Sequence, residues 1–360
     1  MLTESAMLLV GKRTRSLDLA IGLHQVGVII PTWNAAEYWD NLESALNKQG
    51  LQPEQILIID SSSTDATAQL AHAAGYRVVE TPHSDFNHGT TRKAACGYLP
   101  SAEIFVLLTQ DAILAESNSL ATLCDVFKDP TIGAAYGRQL PRPQAKASER
   151  HARFFNYPAR SERHSFEHRR TLGLKAAFLS NSFAAYRRSA MEAIGGFPEN
   201  VIVSEDVLTG AQMLMAGWQL AYVSEATVIH SHAFSIRQEF ARYFDIGVNH
   251  ARESWLLETF GGAGNEGRRF VLSELNYLLD NDKRALPGAF FHTALKWVAY
   301  QTGRRERHLS LRTKRWLSSH PNFWKEAVCA DTRDDHKAKD PLSMIPVSYT
   351  HLTLPTKRIV

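Results

Sequence analysis

Three short apolar runs, each stopped by a polar group or a proline, constrain this chain most. Val26 to Ile30 ends at Pro31, Ile56 to Ile59 ends at Asp60, and Ile104 to Leu108 ends in Thr109-Gln110-Asp111. A continuous apolar run of this length suits a strand buried on both faces, as in a parallel sheet covered by helices. The stretches between the runs carry helical spacing. Ala35 to Asn47 puts Tyr38, Leu42, Ala45 and Leu46 on one face. Thr64 to Ala74 predicts a second helix with Asp65 in its first turn, and Thr90 to Tyr98 a third, after a short strand at Tyr76 to Val79. The alternation predicts an α/β fold of stacked βαβ units, an open and mostly parallel Rossmann-like sheet flanked by helices. In such sheets ligands gather outside the carboxyl ends of the strands. Here those ends carry Thr32, Asn34, Asp60, Ser62 and Asp111.

The 360 residues, 44% hydrophobic and 21% charged, suffice for one large domain with an appendage. Cys96, Cys124 and Cys329 are odd in number and widely spaced, which excludes a disulfide framework and a CxxC pair and favours a reducing compartment. The longest apolar stretch, Ala285 to Tyr300, is broken by His292 and Lys296 and falls short of the roughly 20 residues that span a bilayer. Met7 to Val10 is too short for a signal-peptide core, and Lys12, Arg13 and Arg15 follow it rather than precede it. A cytoplasmic location is therefore expected. The formal charge of +3 is uneven: from Lys283 to Lys325, ten Lys or Arg face one acid, Glu306. Pro141 to Arg170, rich in charge and weak in periodicity, is expected to be a mobile surface excursion.

Several residues have the chemistry to act. Pro31-Thr32-Trp33-Asn34 puts small polar groups at the first strand end, and Asp60 could accept from a base or a ribose hydroxyl or could cap the next helix. Asp111, beside Gln110 and Thr109, suits a hard divalent cation shared with phosphates, or another helix cap. Glu205-Asp206 begins the helical stretch to Ala216. Paired acids there are often dipole partners, but facing the same cleft as Asp111 one of them could take a proton as a general base, and Asp206 is the favoured one. His230 and His232 alternate at strand period and so share a face, which suits a metal or a phosphate, with no more than one of them expected on the cation.

Taken together, Val28-Ile-Ile-Pro-Thr-Trp-Asn34, Ile58-Ile-Asp-Ser-Ser-Ser-Thr-Asp65, Phe86-Asn-His-Gly-Thr-Thr-Arg92, Leu108-Thr-Gln-Asp-Ala112, Ile194-Gly-Gly-Phe197 and Ser204-Glu-Asp206 resemble glycosyltransferase family 2, in that family's order. The forms around His88, Gln110 and His230-Ser-His232 are similar to its rhamnosyltransferase branch. The resemblance covers about residues 25 to 260 and implies a GT-A-type fold. It implies that Pro31, Thr32, Asn34, Asp60 and Ser62 contact the nucleoside, and that His88, Gly89, Arg92 and Gln110 line the base and diphosphate region. It further implies that Asp111 holds Mg²⁺ or Mn²⁺, that His232, and less so His230, completes the metal site, and that Asp206, with Glu205 second, is the base. Where many members have Asp-x-Asp this chain has Thr109-Gln-Asp111, leaving one carboxylate for the metal and implying weaker dependence on the ion.

The implied activity is inverting transfer of a deoxyhexose, L-rhamnose from dTDP-L-rhamnose, to a glycan or polyprenyl-linked acceptor in cell-surface polysaccharide synthesis, with another UDP- or GDP-sugar as the alternative. Phe178 to Phe197 is expected to shape the acceptor side. The implied organisation is an N-terminal extension over 1–24, a transferase domain over 25–260, a basic helical region over 261–325, and a tail over 326–360. The final residues from Val347 resemble translated adapter sequence, so the tail is expected to stand outside the native fold. The basic region with its aromatic residues is expected either to dock on an anionic membrane at the inner face or to form a solvated helical pair packing those residues on the transferase domain, and helical spacing alone serves both equally. No nucleic-acid recognition motif accompanies the charge, so nucleic acid is not an expected partner. A dinucleotide-binding GxGxxG and a phosphate-binding GxxxxGK[ST] are both absent, which removes the main support for those enzyme classes. A noncatalytic relative would have little reason to keep Asp60, Asp111 and Asp206 together.

Overall fold

A computed structural model describes residues 22–324 apart from Ala233 and Ala263. The expected extension up to residue 21 and the tail from 326 lie outside the described residues. The first half follows the alternation closely. Strands β1 (Val26–Thr32), β2 (Ile56–Asp60), β3 (Arg77–Glu80) and β4 (Ile104–Leu108) run parallel in the order β3-β2-β1-β4. Helices α1 (Trp39–Asn47), α2 (Thr67–Ala73) and α3 (His88–Gly97) make the crossovers. Alternate residues of these strands enter different cores, as a strand's period of two requires. Ile29, Leu57, Ile59 and Phe105 belong to one, and Val28, Ile30, Ile58 and Val106 to the other with Trp39, Leu42 and Leu46 of α1. The second helix starts later than its pattern suggests. Asp65 lies ahead of it, where its carboxylate accepts from the backbone N–H of Ala36 and Thr67 and ties the α2 loop to the end of β1.

The second half departs from simple alternation. After β5 (Ile113–Leu114) and α4 (Ser119–Cys124), strand β6 (Ile132–Leu140) leads to α5 (Ala147–Asn156), β7 (Glu162–His164) and α6 (Arg169–Leu172). Then come β8 (Phe183–Arg187), α7 (Arg188–Ala193), α8 (Glu205–Met215) and β9 (Gln219–Ile229). Strand β8 lies antiparallel between β4 and β6, and β9 pairs parallel with β6 and antiparallel with β5 and β7. The sheet is therefore parallel over β3-β2-β1-β4 and mixed beyond it. Pro141 to Arg170 is not the mobile excursion that its composition suggests. It supplies α5 and β7, and Ala147, His151, Tyr157 and His164 are buried. The polar residues that hid its periodicity bond inward, as Arg153 does to Gln139 and His151 to Ser273.

The chain ends in helices: α9 (Ile236–Arg252), α10 (Ser254–Phe260), α11 (Gly264–Asn281), α12 (Leu286–Arg304) and α13 (Leu311–Leu317). Helices α9 and α12 cross at glycines. A Cβ on Gly247 would stand 2.3 Å from the Tyr300 carbonyl oxygen, and one on Gly303 2.1 Å from that of Phe244, so only hydrogen fits at either position. Among the described residues no helix is long and apolar enough to cross a membrane.

Candidate active site

The carboxyl ends of β1 and β2 meet in register, with Thr32 opposite Asp60. The Thr32 hydroxyl donates to Asp60 Oδ1 at 3.1 Å, and Ser63 donates to the same carboxylate through its backbone N–H at 2.8 Å and its hydroxyl at 2.6 Å. Asp60 is 1% exposed, so its first task is to fold the β2 loop under the strand ends. Pro31 sits inside β1 opposite Ile59. Asn34 and Ser62 both take left-handed backbone with φ of 48° and 55°, unusual for residues with a Cβ. Asn34 Oδ1 accepts from the Thr64 N–H at 2.8 Å, and the Ser62 hydroxyl donates to the Thr81 carbonyl at 3.1 Å. Gln110 clamps Trp33, accepting from its N–H at 2.8 Å and donating to its carbonyl at 3.2 Å. Trp33 is 50% exposed and stacks on His83 with ring centroids 4.7 Å apart, a platform at the strand ends whose role the sequence reading left unassigned.

Asp111, just past β4, meets the segment that follows β9. His230 Nε2 lies 3.4 Å from Asp111 Oδ1 and His232 Nδ1 lies 3.6 Å from Oδ2. The three residues can hold a metal ion, since their ligand atoms all lie within 4.8 Å of one another. His230 is 3% exposed and its Nδ1 is 2.9 Å from Gln139 Oε1. That oxygen also accepts from Arg153, while Gln139 Nε2 donates to Ser180 at 2.8 Å, so the amide is fixed and Nδ1 of His230 must carry the proton. Burial lowers the His230 pKa and keeps the ring neutral, which leaves the Nε2 lone pair facing a carboxylate with no hydrogen-bond partner. A shared cation satisfies two such acceptors where a hydrogen bond cannot. Burial also pushes His232 down to about 4. Burial alone would raise Asp111, but at the acidic pH where it titrates both imidazoles are protonated, and their charge outweighs burial and holds the carboxyl below its ordinary range. The strand spacing allows no more than one histidine on the cation, and the resemblance favours His232; the structure holds both imidazoles within 3.6 Å of Asp111 and ties His230 to Gln139 as well. Arg142 Nη2 stands 3.5 Å from Asp111 Oδ2, a cation the sequence reading missed because it lies in the segment taken for a loop.

The acid pair opens α8 from Ser204, itself held at a left-handed φ of 63°. Its two members face different surroundings. Glu205 is 5% exposed, forms a buried ion pair with Arg92, and accepts from Asn181 Nδ2 at 2.8 Å. Burial would raise its pKa, but Arg92, His88 and the Asn181 hydrogen bond together outweigh it and hold the carboxylate below the usual range. Asp206 accepts from the backbone N–H of Val207 at 2.9 Å and of Asn181 at 3.3 Å, and burial, aided by the Glu205 charge, pushes it up to about 7. Arg92 also lies 3.2 Å from His88 Nδ1, whose pKa burial lowers to about 3. Arg92 is thus engaged by Glu205 and His88. Gly89 is required by packing, since a Cβ there would stand 1.8 Å from the Pro198 carbonyl oxygen.

One short loop joins the two halves of the site. Ser180 bonds Gln139 behind His230, Asn181 bridges Glu205 and Asp206, and the Ser182 carbonyl accepts from the Thr109 N–H at 3.4 Å, two residues before Asp111. The expected acceptor-side stretch from Phe178 therefore contains the connector, though no periodicity marks Asn181. Residues 24–252 match the family described as Glycosyltransferase like family 2. The chain belongs to that family. The transferase is 42% identical over 311 residues to the O-antigen chain rhamnosyltransferase RfbN of Salmonella typhimurium, covering 86% of this chain and 99% of that relative. It is 23% identical over 244 residues to the N-acetylglucosaminyl-diphospho-decaprenol L-rhamnosyltransferase of Mycobacterium tuberculosis, 60% of this chain and 79% of that one. Its fold resembles the mannosyltransferase PcManGT of Pyrobaculum calidifontis, solved with GDP-Man and Mn²⁺, with a TM-score of 0.53 and 16% identity over 78% of this chain and 86% of the other.

Proposed function

We propose that this glycosyltransferase moves L-rhamnose from dTDP-L-rhamnose to a polyprenyl-linked glycan in O-antigen-type polysaccharide synthesis, with inversion at the anomeric carbon. The observation that carries the chemistry is the division of the acid pair, with Glu205 ionised on Arg92 and Asp206 raised to about 7 beside it. The sugar and the lipid-linked acceptor come from the rhamnosyltransferase relatives, which include an N-acetylglucosaminyl-diphospho-decaprenol L-rhamnosyltransferase.

In the proposed reaction, Asp206 takes the proton of the acceptor hydroxyl as its oxygen attacks the anomeric carbon. The new carbon–oxygen bond forms as the bond to the diphosphate breaks, and dTDP departs from the opposite face. A pKa near the working pH suits a general base. Asn181 positions Asp206 through its backbone N–H, and Arg92 with the Asn181 amide keeps the neighbouring Glu205 ionised. Thr32, Asn34, Asp60 and Ser62 shape the nucleoside pocket, with Gln110 holding the Trp33 platform. Asp111, His230 and His232 would hold the divalent ion, and two imidazoles favour Mn²⁺ over Mg²⁺. Such an ion, when bound, neutralises charge developing on the leaving diphosphate. Arg142, paired with Asp111, would assist it beside Arg92. The lipid-linked acceptor places the enzyme at the inner face of the membrane.

A panel of nucleotide sugars scored for donor hydrolysis with and without Mn²⁺ tests this. The expected result is Mn²⁺-dependent hydrolysis of dTDP-L-rhamnose at least about tenfold faster than of UDP- or GDP-sugars, a margin within reach of pocket contacts. Preference for a UDP- or GDP-sugar would replace the donor assignment.

A further inference from the structure

The side of α12 turned away from α9 is apolar along its length. Phe290, Phe291, Trp297 and Val298 are 58%, 52%, 65% and 48% exposed. With Ala294 between them they recur at the spacing of one helix face. The opposite side packs inward. Ala289, Ala299 and Gly303 are buried, the Tyr300 hydroxyl meets His250 Nδ1 at 3.1 Å, and Lys296 pairs with Glu239 at 3.0 Å. The charge of the region is correspondingly rearranged. Lys296 is neutralised by Glu239, Lys314 is buried on Glu306, and Tyr300 is half-buried against His250. The exposed bases that remain among the described residues of this region are Lys283, Arg284, Arg305, Arg307, Arg312 and Arg315. Lys283 and Arg284 lead into α12 and Arg305 follows it, while α12 itself contains no acid.

We infer that this stripe is a membrane-insertion face, on which α12 lies flat along an anionic leaflet. The helix has 19 residues. It therefore extends about 28 Å in the membrane plane at 1.5 Å per residue. Its aromatic side chains enter the headgroup boundary, and the basic residues at its two ends meet lipid phosphates. Charge decides between a leaflet and a second copy of the chain. In a two-fold pairing of antiparallel stripes, Lys283 and Arg284 of one copy would meet Arg305 of the other, which repels, whereas an anionic surface satisfies both ends. The inference rests on the lipid-linked acceptor of the proposed function for its purpose, but not on the identity of the donor.

Flotation of the full chain with vesicles of phosphatidylglycerol and phosphatidylethanolamine, or of phosphatidylcholine alone, tests it at low and high salt. The wild-type chain is expected to float with the anionic vesicles and to release as salt rises. Phe291→Ser with Trp297→Ser, and separately Lys283→Ala with Arg284→Ala, should each lower binding at least about tenfold while leaving the thermal transition and donor hydrolysis unchanged. Undiminished flotation of the Phe291→Ser, Trp297→Ser variant overturns the inference, as does a wild-type dimer that this variant dissociates without altering flotation. A chain that floats as expected yet hydrolyses no dTDP-L-rhamnose would retire the donor assignment and leave the docking face standing.

Discussion

The nucleotide side of the sheet and its catalytic side end at one site but are held together differently. At the ends of β1 and β2 the bonds are short in sequence: Ser63 to Asp60 spans 3 positions, Thr32 to Asp60 28, and Thr64 to Asn34 30. On the other side they are long, with Arg92 to Glu205 spanning 113, His230 to Gln139 91 and Arg142 to Ser231 89. The nucleotide side is thus built by neighbouring βαβ units, whereas the acid pair and the metal triad exist only once the mixed half of the sheet has closed. Catalytic function should therefore be the part most easily broken from a distance.

The largest expected effect falls on the acid pair. Asp206→Asn should lower turnover about a hundredfold or more, the scale of a lost general base, while dTDP affinity measured by calorimetry stays close to wild type. Normal turnover at saturating donor would move the base elsewhere, Glu205 being the next candidate. Its neighbour should fail by a different route. Glu205→Leu strands the buried Arg92 and is expected to cost about 3–5 kcal/mol in urea unfolding. The exposed pair Lys93–Glu199, which joins the same helix to the same segment, should cost within about 1 kcal/mol when broken, and equal costs would show that burial does not set the difference between the two pairs.

Smaller effects are expected at the metal triad. Asp111→Ala should weaken dTDP binding with Mn²⁺ but not in EDTA, and equal losses under both conditions would make Asp111 structural. Gln139→Leu touches no ligand atom, yet removes the acceptor that fixes the His230 ring, so Mn²⁺ affinity should fall about 10–100-fold. The smallest effect belongs to the nucleotide side. Ser62→Gly relieves a left-handed backbone and should change stability by less than about 1 kcal/mol, since glycine takes that conformation freely.

This contrast also explains which parts were legible in the sequence. The apolar runs ending at Pro31, Asp60 and Thr109 announce strands and place polar groups at their ends, because period and burial are local properties. Glu205 and Asp206 were visible as a pair, but nothing local tells which of them an arginine 113 positions away will neutralise. Nor could the sequence weigh His230 against His232, since the orientation of His230 depends on Gln139, 91 positions away. Polar residues that bond inward, such as Arg153 and His151, erase the periodicity on which an element is recognised. In α12, spacing alone could not separate the buried face from the exposed one, because Phe290, Trp297 and Tyr300 have the same chemistry and only packing on α9 turns one of them inward.

The division of labour between Glu205 and Asp206 is tested most directly by turnover as a function of pH at saturating donor and Mn²⁺. Asp206 must be deprotonated to accept the acceptor's proton, and its pKa is raised to about 7. Activity should therefore rise with pH through about 7 and be lost as pH falls below it, and the small residual activity of Asp206→Asn should lack that step. A wild-type profile that is flat from pH 5 to about 8, or a step that survives in Asp206→Asn, would contradict the assignment of Asp206 as the base.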